Sequence, residues 1–310
     1  MPGCGRTFRR HCEKFWEYIP VPSYVDEVHK VIYIDGIEVA GIRILIAVSD
    51  DHVLSWHLAR SENTYDWSVL LKTIAPPEMV VCDGAGGIKK ALEDIWPNTK
   101  VQRCLFHVLT LIVKKIGLRT RSVIERELLD LAKDLVKVKD KYTSELWLHR
   151  YFMWEESWSC DLKQKRIVGN KEEYVYKNAR SVRRTIRGLI KSHQLFTYLT
   201  PSLNLGERII RTNNRIEGGV NAPIKEMLRN HRGLSTTRRI KAACWWCYMH
   251  TECPLSISEI LRLMPRDSDY EELRNELNLG GVKNIGPELW GTGVAWEDYH
   301  RKTPYPYSYE

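Results

Sequence analysis

The sequence predicts a mixed α/β protein in which a core of strands and helices is interrupted by a long helical segment. Residues 29–104 alternate short runs of Val, Ile, Leu and aromatic residues with runs of helical periodicity. That alternation is typical of strands interleaved with helices. Residues 109–203 instead combine helical periodicity with heavy charge and show no convincing strand pattern. The fold class is therefore predicted as α/β with an all-helical insertion.

The first part of the core is predicted to begin with three antiparallel strands. The runs are HKVIYIDG, GIRILIAVSD and HVLSWHLAR, which Gly41 and the Asp50–Asp51 pair separate. Short β-branched and aromatic runs between turn residues are typical of hairpins. A helix over residues 65–74 stops at a Pro-Pro pair, MVVCDG is a buried strand, and a helix over residues 88–96 precedes a fifth strand in KVQRCLFH.

The last part of the core is predicted to be helical. RTNNRIEGGVNAPIKEML begins with cap-forming residues and continues as a helix, and a second helix covers residues 237–250. From residue 275 the chain is rich in Gly, Pro and Tyr, which predicts a loosely ordered tail. The chain is predicted to begin with a short N-terminal segment (residues 1–27). The first part of the core (28–112), the helical insertion (113–204) and the last part of the core (205–253) follow. A C-terminal helix with the tail (254–310) ends the chain.

Positive charge is concentrated in the middle of the chain. The net charge is +8, but residues 113–241 hold 29 Lys and Arg against 14 Asp and Glu, a net charge of +15. Lys and Arg that contact phosphates release condensed counterions, so this concentration favours a nucleic-acid partner. Solvated helix faces are the alternative interpretation. The candidate phosphate contacts are Arg183, Arg184, Arg187, Lys191, Arg232, Arg238, Arg239 and Lys241.

The apolar runs and the cysteines indicate a cytoplasmic protein. The longest runs, such as residues 42–48, are too short to cross a bilayer, and the first residues lack the apolar core of a secretory signal. The eight cysteines are therefore predicted to be reduced thiols. Cys244 and Cys247 lie in an aromatic helix, where they are interpreted as small buried hydrophobes.

Two aspartates and a glutamate are the candidate catalytic residues. Asp35 in VIYIDG and Asp83 in VVCDG each lie at the predicted end of a buried strand, and Glu217 begins a late helix. A carboxylate at the end of a buried strand is costly unless positive charge compensates it, and Mg²⁺ or Mn²⁺ prefers carboxylate oxygens. The alternative is that all three are ordinary turn or helix-start residues.

The order of the predicted elements is that of an RNase H-like fold. Three strands come first, a strand and a helix follow, and an acidic residue lies in a late helix. In a site with two metal ions, one ion activates the attacking water or 3′ hydroxyl and the other stabilises the leaving oxygen, so phosphodiester cleavage needs no other base.

Three segments together resemble the Mutator-like branch of bacterial insertion-sequence transposases, which are of the DDE type. They are YIDG, VCDGAGGIKKALEDIWPNTKVQRCLFHV and RTNNRIEGGVNAPIKEMLRNHRGLSTTRRIKAACWWCYMH. The resemblance implies two Mg²⁺ or Mn²⁺ ions, DNA ends as substrate, and cleavage followed by strand transfer. Residue by residue, it implies that Asp35, Asp83 and Glu217 are catalytic metal ligands. It also implies that Cys104 and His107 form a Cys-x-x-His signature that shapes the active site.

The resemblance also implies partners and exposes one departure. The expected partners are double-stranded DNA, as terminal repeats and target, and further copies of the chain in a dimer or higher oligomer at the bacterial nucleoid. A zinc ribbon or helix-turn-helix usually precedes such a core, whereas Cys4, His11 and Cys12 lack a second well-spaced pair. We interpret the chain as a truncated element. An inactive DNA-binding remnant and a metal-dependent DNA nuclease, such as a resolvase, are the alternatives.

Overall fold

A computed structural model describes residue 10 and residues 12–206 and 209–268. The predicted tail from residue 275, Cys4 and His11 lie outside the described residues. The strands are β1 Val31–Val39, β2 Ile42–Val48, β3 Val53–Ala59, β4 Met79–Cys82, β5 Lys100–Arg103, β6 Lys165–Val168 and β7 Lys171–Tyr174. The helices are α1 Thr64–Lys72, α2 Gly86–Ile95, α3 Leu105–Ile116, α4 Val123–Leu135, α5 Lys141–Ser157, α6 Lys177–Lys191, α7 Ala222–Asn230, α8 Thr236–Met249 and α9 Ile257–Leu263.

The fold is mixed α/β, with antiparallel and parallel strand pairs, and it divides into two compact units. The sheet unit contains the described residues up to Pro77, Gly84–Thr99 and the described residues from Asn214. The helical unit contains Glu78–Asp83 and Lys100–Asn213.

In the sheet unit, β1, β2 and β3 form the predicted antiparallel meander. β1 pairs with β2 from Tyr33 opposite Val48 to Val39 opposite Ile42. The connecting residues Ala40 and Gly41 have φ of 51° and 89°. Two positive φ angles in a two-residue loop match the twist of a hairpin, and glycine adopts such an angle without strain.

The helices of the sheet unit pack on the strands through buried aromatic and aliphatic side chains. Trp56 of β3 meets Tyr248 of α8 edge-to-face at 6.5 Å between ring centroids. The amide of Val53 donates to the carbonyl oxygen of His250 at 2.8 Å, which holds the start of β3 at the end of α8. Trp67 of α1 is 1% exposed, so α1 also contributes to the core.

The segment before β1 folds against α8. The ammonium of Lys241 is buried, and it donates to the carbonyl oxygen of Trp16 and to the carboxylate of Asp267. The amide of Ile19 donates to the carbonyl oxygen of Pro265 at 3.1 Å. Because Lys241 is enclosed by these partners, the predicted phosphate contact does not hold for this residue.

The helical unit contains the parallel pair β4 and β5, in which Met79 lies opposite Lys100 and Cys82 opposite Arg103. Helices α4, α5 and α6 bury an aromatic core. Trp147 and Tyr151 of α5 are stacked at 5.6 Å between centroids, and the indole of Trp147 donates to the carbonyl oxygen of Leu131 at 2.8 Å.

One part of the predicted all-helical insertion is not helical. Residues 165–174 form the antiparallel hairpin of β6 and β7, with Lys165 opposite Tyr174 and Val168 opposite Lys171. The prediction that the insertion contains only helices is therefore wrong for residues 165–174. The apolar alternation that identifies a strand is masked because both faces carry charge, while Gly169, with a φ of 63°, supplies the tight turn.

None of the described helices is both long enough and apolar enough to cross a membrane.

Candidate active site

The three predicted carboxylates are divided between the units. Asp35 and Glu217 belong to the sheet unit, and Asp83 belongs to the helical unit with Cys104 and His107. Each group is built by the elements of its own unit.

Asp35 lies in the middle of a strand. The sequence predicts it at a strand end, but β1 continues to Val39 and pairs Asp35 with Ile46. The prediction of the strand end is wrong because Gly36 keeps an extended backbone, and the hairpin turn forms at residues 40–41 instead. The turn interpretation of this Asp-Gly pair therefore fails as well.

The carboxylate of Asp35 is held by Asn221. The side-chain amide of Asn221 donates to Oδ2 of Asp35 at 2.8 Å. Asn221 is 6% exposed, and its Oδ1 has no hydrogen-bond partner among the described residues. Since a carboxylate can only accept, the amide group must face Asp35 and the carbonyl oxygen must point elsewhere. The carbonyl oxygen is consequently an unused buried acceptor beside the carboxylate.

Glu217 lies in a π-helical turn together with Asn221. Asn214–Ile216 starts as α-helix, Glu217–Asn221 forms the π turn, and α7 follows. The amide of Ala222 donates to the carbonyl oxygen of Glu217, five residues earlier. Single π turns inside α-helices are rare and frequent at functional sites. This turn holds both the half-buried Glu217 and the amide that binds Asp35.

Arg215 fixes the start of the same turn. Its Nε donates to the carbonyl oxygen of Asp50 in the β2–β3 loop. A Cβ on Gly219 would lie 2.6 Å from Nη1 of Arg215, so the guanidinium crosses directly over this glycine. Glycine at position 219 therefore permits the close approach of the Arg215 guanidinium. This cation lies on the same turn as the carboxylate of Glu217.

These donors in the sheet unit suit a hard divalent cation. Carboxylates from Asp35 and Glu217 and the amide oxygen of Asn221 are oxygen ligands, which Mg²⁺ and Mn²⁺ prefer over thiolates. The chemistry of the donor set thus fits the metal that the resemblance implies.

In the helical unit, Asp83 directly follows β4 and Cys104 caps α3. The amide of Cys104 donates to the carbonyl oxygen of Cys82 at 2.9 Å, next to Asp83. Cys104 is fully buried, and its Sγ accepts from the amide of Asn213 at 3.2 Å. The thiol therefore anchors the chain immediately before the segment that carries Glu217.

His107 lies in the first turn of α3, three residues after Cys104, and is half-buried. Residues three apart share a helix face, so the signature pair lines one side of the start of α3.

The structure separates the basic residues of α6 into two groups. Arg183 and Arg187 contact the buried carboxylate of Glu155, at 3.5 and 2.9 Å. Arg184 and Lys191 are exposed and form no ion pair with the described residues. The first two arginines fix α6 to α5, and the last two remain the better candidates for phosphate contacts.

The arginines around α8 also differ in their surroundings. Arg238 pairs with Glu13 and lies over the ring of Trp16, 5.6 Å from its centroid. Arg232 is exposed, and its Nε donates to the carbonyl oxygen of Arg229 at 3.2 Å, while Arg239 is half-buried. Arg238 is therefore engaged with the N-terminal segment.

The cysteines of α8 are structural. Burial raises the pKa of the Cys244 thiol to about 12 and raises that of Cys247 well above its ordinary value. Neutral, enclosed thiols agree with the interpretation of this pair as buried hydrophobes.

The sequence interpretation missed Asn221 and Arg215. Both lie in RTNNRIEGGVN, and Asn221 follows Glu217 at a spacing of four, which places polar side chains on one helix face. That spacing is the sequence signal from which Asn221 could have been identified.

Comparison with known proteins identifies part of the chain. The family model described as Transposase, Mutator family, matches residues 28–160. The matched residues contain Asp35, Asp83, Cys104 and His107, whereas Glu217 lies beyond them.

Several insertion-sequence transposases are similar over parts of their length. The transposase for insertion sequence element IS1201 of Lactobacillus helveticus is 26% identical over 145 residues, 44% of this chain and 38% of the relative. The transposase for IS905 of Lactococcus lactis is 34% identical over 77 residues, 23% of this chain and 20% of the relative. A probable transposase of Corynebacterium diphtheriae is 27% identical over 122 residues, 34% of this chain and 36% of the relative. The alignments thus span 20–38% of these relatives. Residues 28–160 are therefore similar to the Mutator family of transposases, in agreement with the resemblance that the sequence motifs indicate.

Proposed function

We propose that the chain is the catalytic part of a DDE transposase that cleaves the ends of an insertion element and joins them to target DNA. The observation that carries the proposal is the hydrogen bond from Asn221 to Asp35. It joins a carboxylate placed in mid-strand to the π turn that contains Glu217. Carboxylates that ligate metals are themselves hydrogen-bonded by neighbouring groups that orient them, and the amide of Asn221 would orient Asp35 in this way.

In this proposal Asp35, Asp83 and Glu217 ligate two divalent ions in an RNase H-like core, and the segment between β5 and the π turn is its insertion. Bound ions would activate the attacking oxygen and stabilise the leaving oxygen. Asn221 orients Asp35, and Cys104 anchors the segment that leads to Glu217. The exposed cations of α6 position the DNA backbone without reading its sequence. The partners are double-stranded DNA and further copies of the chain, in the bacterial cytoplasm.

The test is metal-dependent cleavage of a supercoiled plasmid that carries the genomic DNA flanking the coding sequence. With Mn²⁺ the protein should produce cut and joined DNA, and EDTA should stop both. Asp35→Asn, Asp83→Asn and Glu217→Gln should each lower the rate by roughly three orders of magnitude or more, as loss of a central catalytic group does. Non-specific DNA binding should persist.

The control is Asp130→Asn, which removes the same charge from an exposed position of α4. It should cleave like the unmodified protein. DNA binding without products in every sample would favour a remnant that no longer catalyses. Cutting without joining would favour a nuclease.

A further inference from the structure

We propose that the hairpin of β6 and β7 binds duplex DNA, with Arg166 and Lys171 on the phosphates and Val168, on the same face, in the minor groove. The inference rests on the proposed function, since duplex DNA is the substrate there. It assigns a binding role to a part of the helical unit that contains none of the predicted site residues.

Among the described residues, the contacts that anchor the hairpin lie at its base. The guanidinium of Arg180 lies 3.6 Å from the ring centroid of Tyr174 and donates to the carbonyl oxygen of Leu162. The amide of Val175 donates to the carbonyl oxygen of Gln164 at 3.0 Å. A lone two-stranded hairpin is marginal in water, so these contacts hold the base while residues 166–171 project as exposed chain.

The end of the hairpin exposes apolar side chains between cations. Ile167 is 78% exposed and Val168 is 47% exposed. Arg166 and Lys171 flank them, are exposed, and form no ion pair with the described residues. Exposed apolar residues at the end of a projecting element are costly in water. An apolar tip with basic flanks has the composition of elements that insert a side chain into the minor groove.

The two faces of the hairpin differ in charge. Residues opposite each other share a face, so Lys165, Ile167, Glu172 and Tyr174 occupy one face, on which Lys165 and Glu172 pair at 2.8 Å. The other face presents Arg166, Val168, Lys171 and Glu173, and Glu173 pairs at 3.5 Å with Lys177, at the start of α6. The second face therefore keeps two cations, Arg166 and Lys171, that form no ion pair within the part of the chain that the structure describes.

That face continues into α6. Lys177, Arg184 and Lys191 are exposed and recur every seven residues, so they lie on one side of the helix. The helix between Lys177 and Lys191 is about 21 Å long, and each strand of the hairpin adds about 14 Å. The basic track, defined as Arg166, Lys171, Lys177, Arg184 and Lys191, thus has a contour of about 35 Å, close to one turn of duplex DNA.

The test is binding of the full chain to a fluorescent random-sequence duplex of about three helical turns, measured over a range of salt concentrations. Arg166→Ala with Lys171→Ala should weaken binding and lower the slope of log affinity against log salt by about 2, because two phosphate contacts are lost. The control, Lys139→Ala with Lys141→Ala, removes the same charge from exposed positions of the same unit outside the track. It should leave the slope nearly unchanged.

A second pair of variants tests the apolar tip. Val168→Ser should reduce bending of the duplex, measured by energy transfer between its labelled ends, without changing the salt slope. Val123→Ser, at another exposed valine of the same unit, should bend DNA like the unmodified protein.

The inference is overturned if the hairpin variant and its control bind the duplex with equal affinity and slope, or if the hairpin substitutions weaken binding to anionic vesicles but not to DNA. Circular dichroism checks that each variant is folded. The outcome is separate from the proposed function, because hairpin binding is measured without cleavage and Asp83→Asn tests cleavage with the hairpin intact.

Discussion

Asn221 holds one oxygen of Asp35 in place. Its amide occupies Oδ2 at 2.8 Å, and its own buried carbonyl oxygen faces away from that bond. Partners of metal ligands typically change metal affinity 10–100-fold when removed, because they orient the ligand. We therefore expect Asn221→Ala to weaken Mn²⁺ binding by about tenfold or more, measured by titration calorimetry on the protein without DNA.

Asn230→Ala is the matched control, since Asn230 is exposed at the end of α7. It should bind Mn²⁺ like the unmodified protein. A purely structural role of Asn221 would instead lower the melting temperature without metal and leave the Mn²⁺ affinity unchanged.

The acids of the site were predictable from the sequence, but their supports were less so. Asp35 and Asp83 each interrupt an apolar run, and a charge in such a run needs compensation. The backbone amide of Asn213 that meets the thiol of Cys104 has no sequence signature, because the two residues are 109 positions apart. Arg183 and Arg187 look like Arg184 in sequence, and only the buried Glu155 distinguishes them.

At the scale of elements, α1 and α2 meet where a glycine replaces a side chain. A Cβ at Gly87 would lie 2.4 Å from the carbonyl oxygen of Glu62 and 2.9 Å from the carbonyl carbon of Asn63, which caps α1. These atoms are backbone and cannot move cheaply. We expect Gly87→Ala to destabilise the protein by about 1–3 kcal/mol, as overpacking does, and to lower the midpoint of thermal unfolding.

Gly86→Ala tests whether the effect is steric. No atom lies within 4 Å of a Cβ at Gly86, in the same first turn of α2. Alanine is favoured over glycine in helices by about 0.5–1 kcal/mol, so this variant should melt at the same or a higher temperature. Equal losses in both variants would contradict the packing argument.

The elements that the sequence predicted well are those with strong apolar periodicity. β1 to β3 are largely buried, with one register shift between β2 and β3 at Ala47 and Val48, and their order followed from three apolar runs separated by turn residues. The hairpin of β6 and β7 was missed because strand periodicity is visible only when one face is buried. All of Lys165–Val168 is exposed, so the sequence of this strand shows no alternation of apolar and polar residues.

Over the whole molecule, charge that looks uniform in sequence serves two purposes. The sheet unit uses Arg238 and Lys241 to hold the N-terminal segment, and the helical unit uses Arg183 and Arg187 to hold α5 against α6. What remains exposed in the helical unit includes the basic track of the hairpin and α6. A count of Lys and Arg in the sequence therefore overstates the number of cations that can bind DNA. The slope of log affinity against log salt concentration measures how many phosphate contacts are made.

The reactivity of the cysteine thiols measures how well both units are packed. Cys160 and Cys253 are exposed, whereas Cys82, Cys104, Cys244 and Cys247 are buried and free of disulfides. Thiolate is the reactive form, and because burial raises the pKa of Cys244 to about 12, its thiol stays protonated near neutral pH. We expect iodoacetamide at mildly alkaline pH to modify Cys160 and Cys253 in the folded protein and to reach the four buried cysteines only after unfolding in urea. Mass spectrometry of proteolytic peptides measures each site, and the unfolded sample is the control for intrinsic reactivity. Modification of Cys244 in the folded protein as fast as that of Cys253 would contradict the packing of α8 against the strands of the sheet unit.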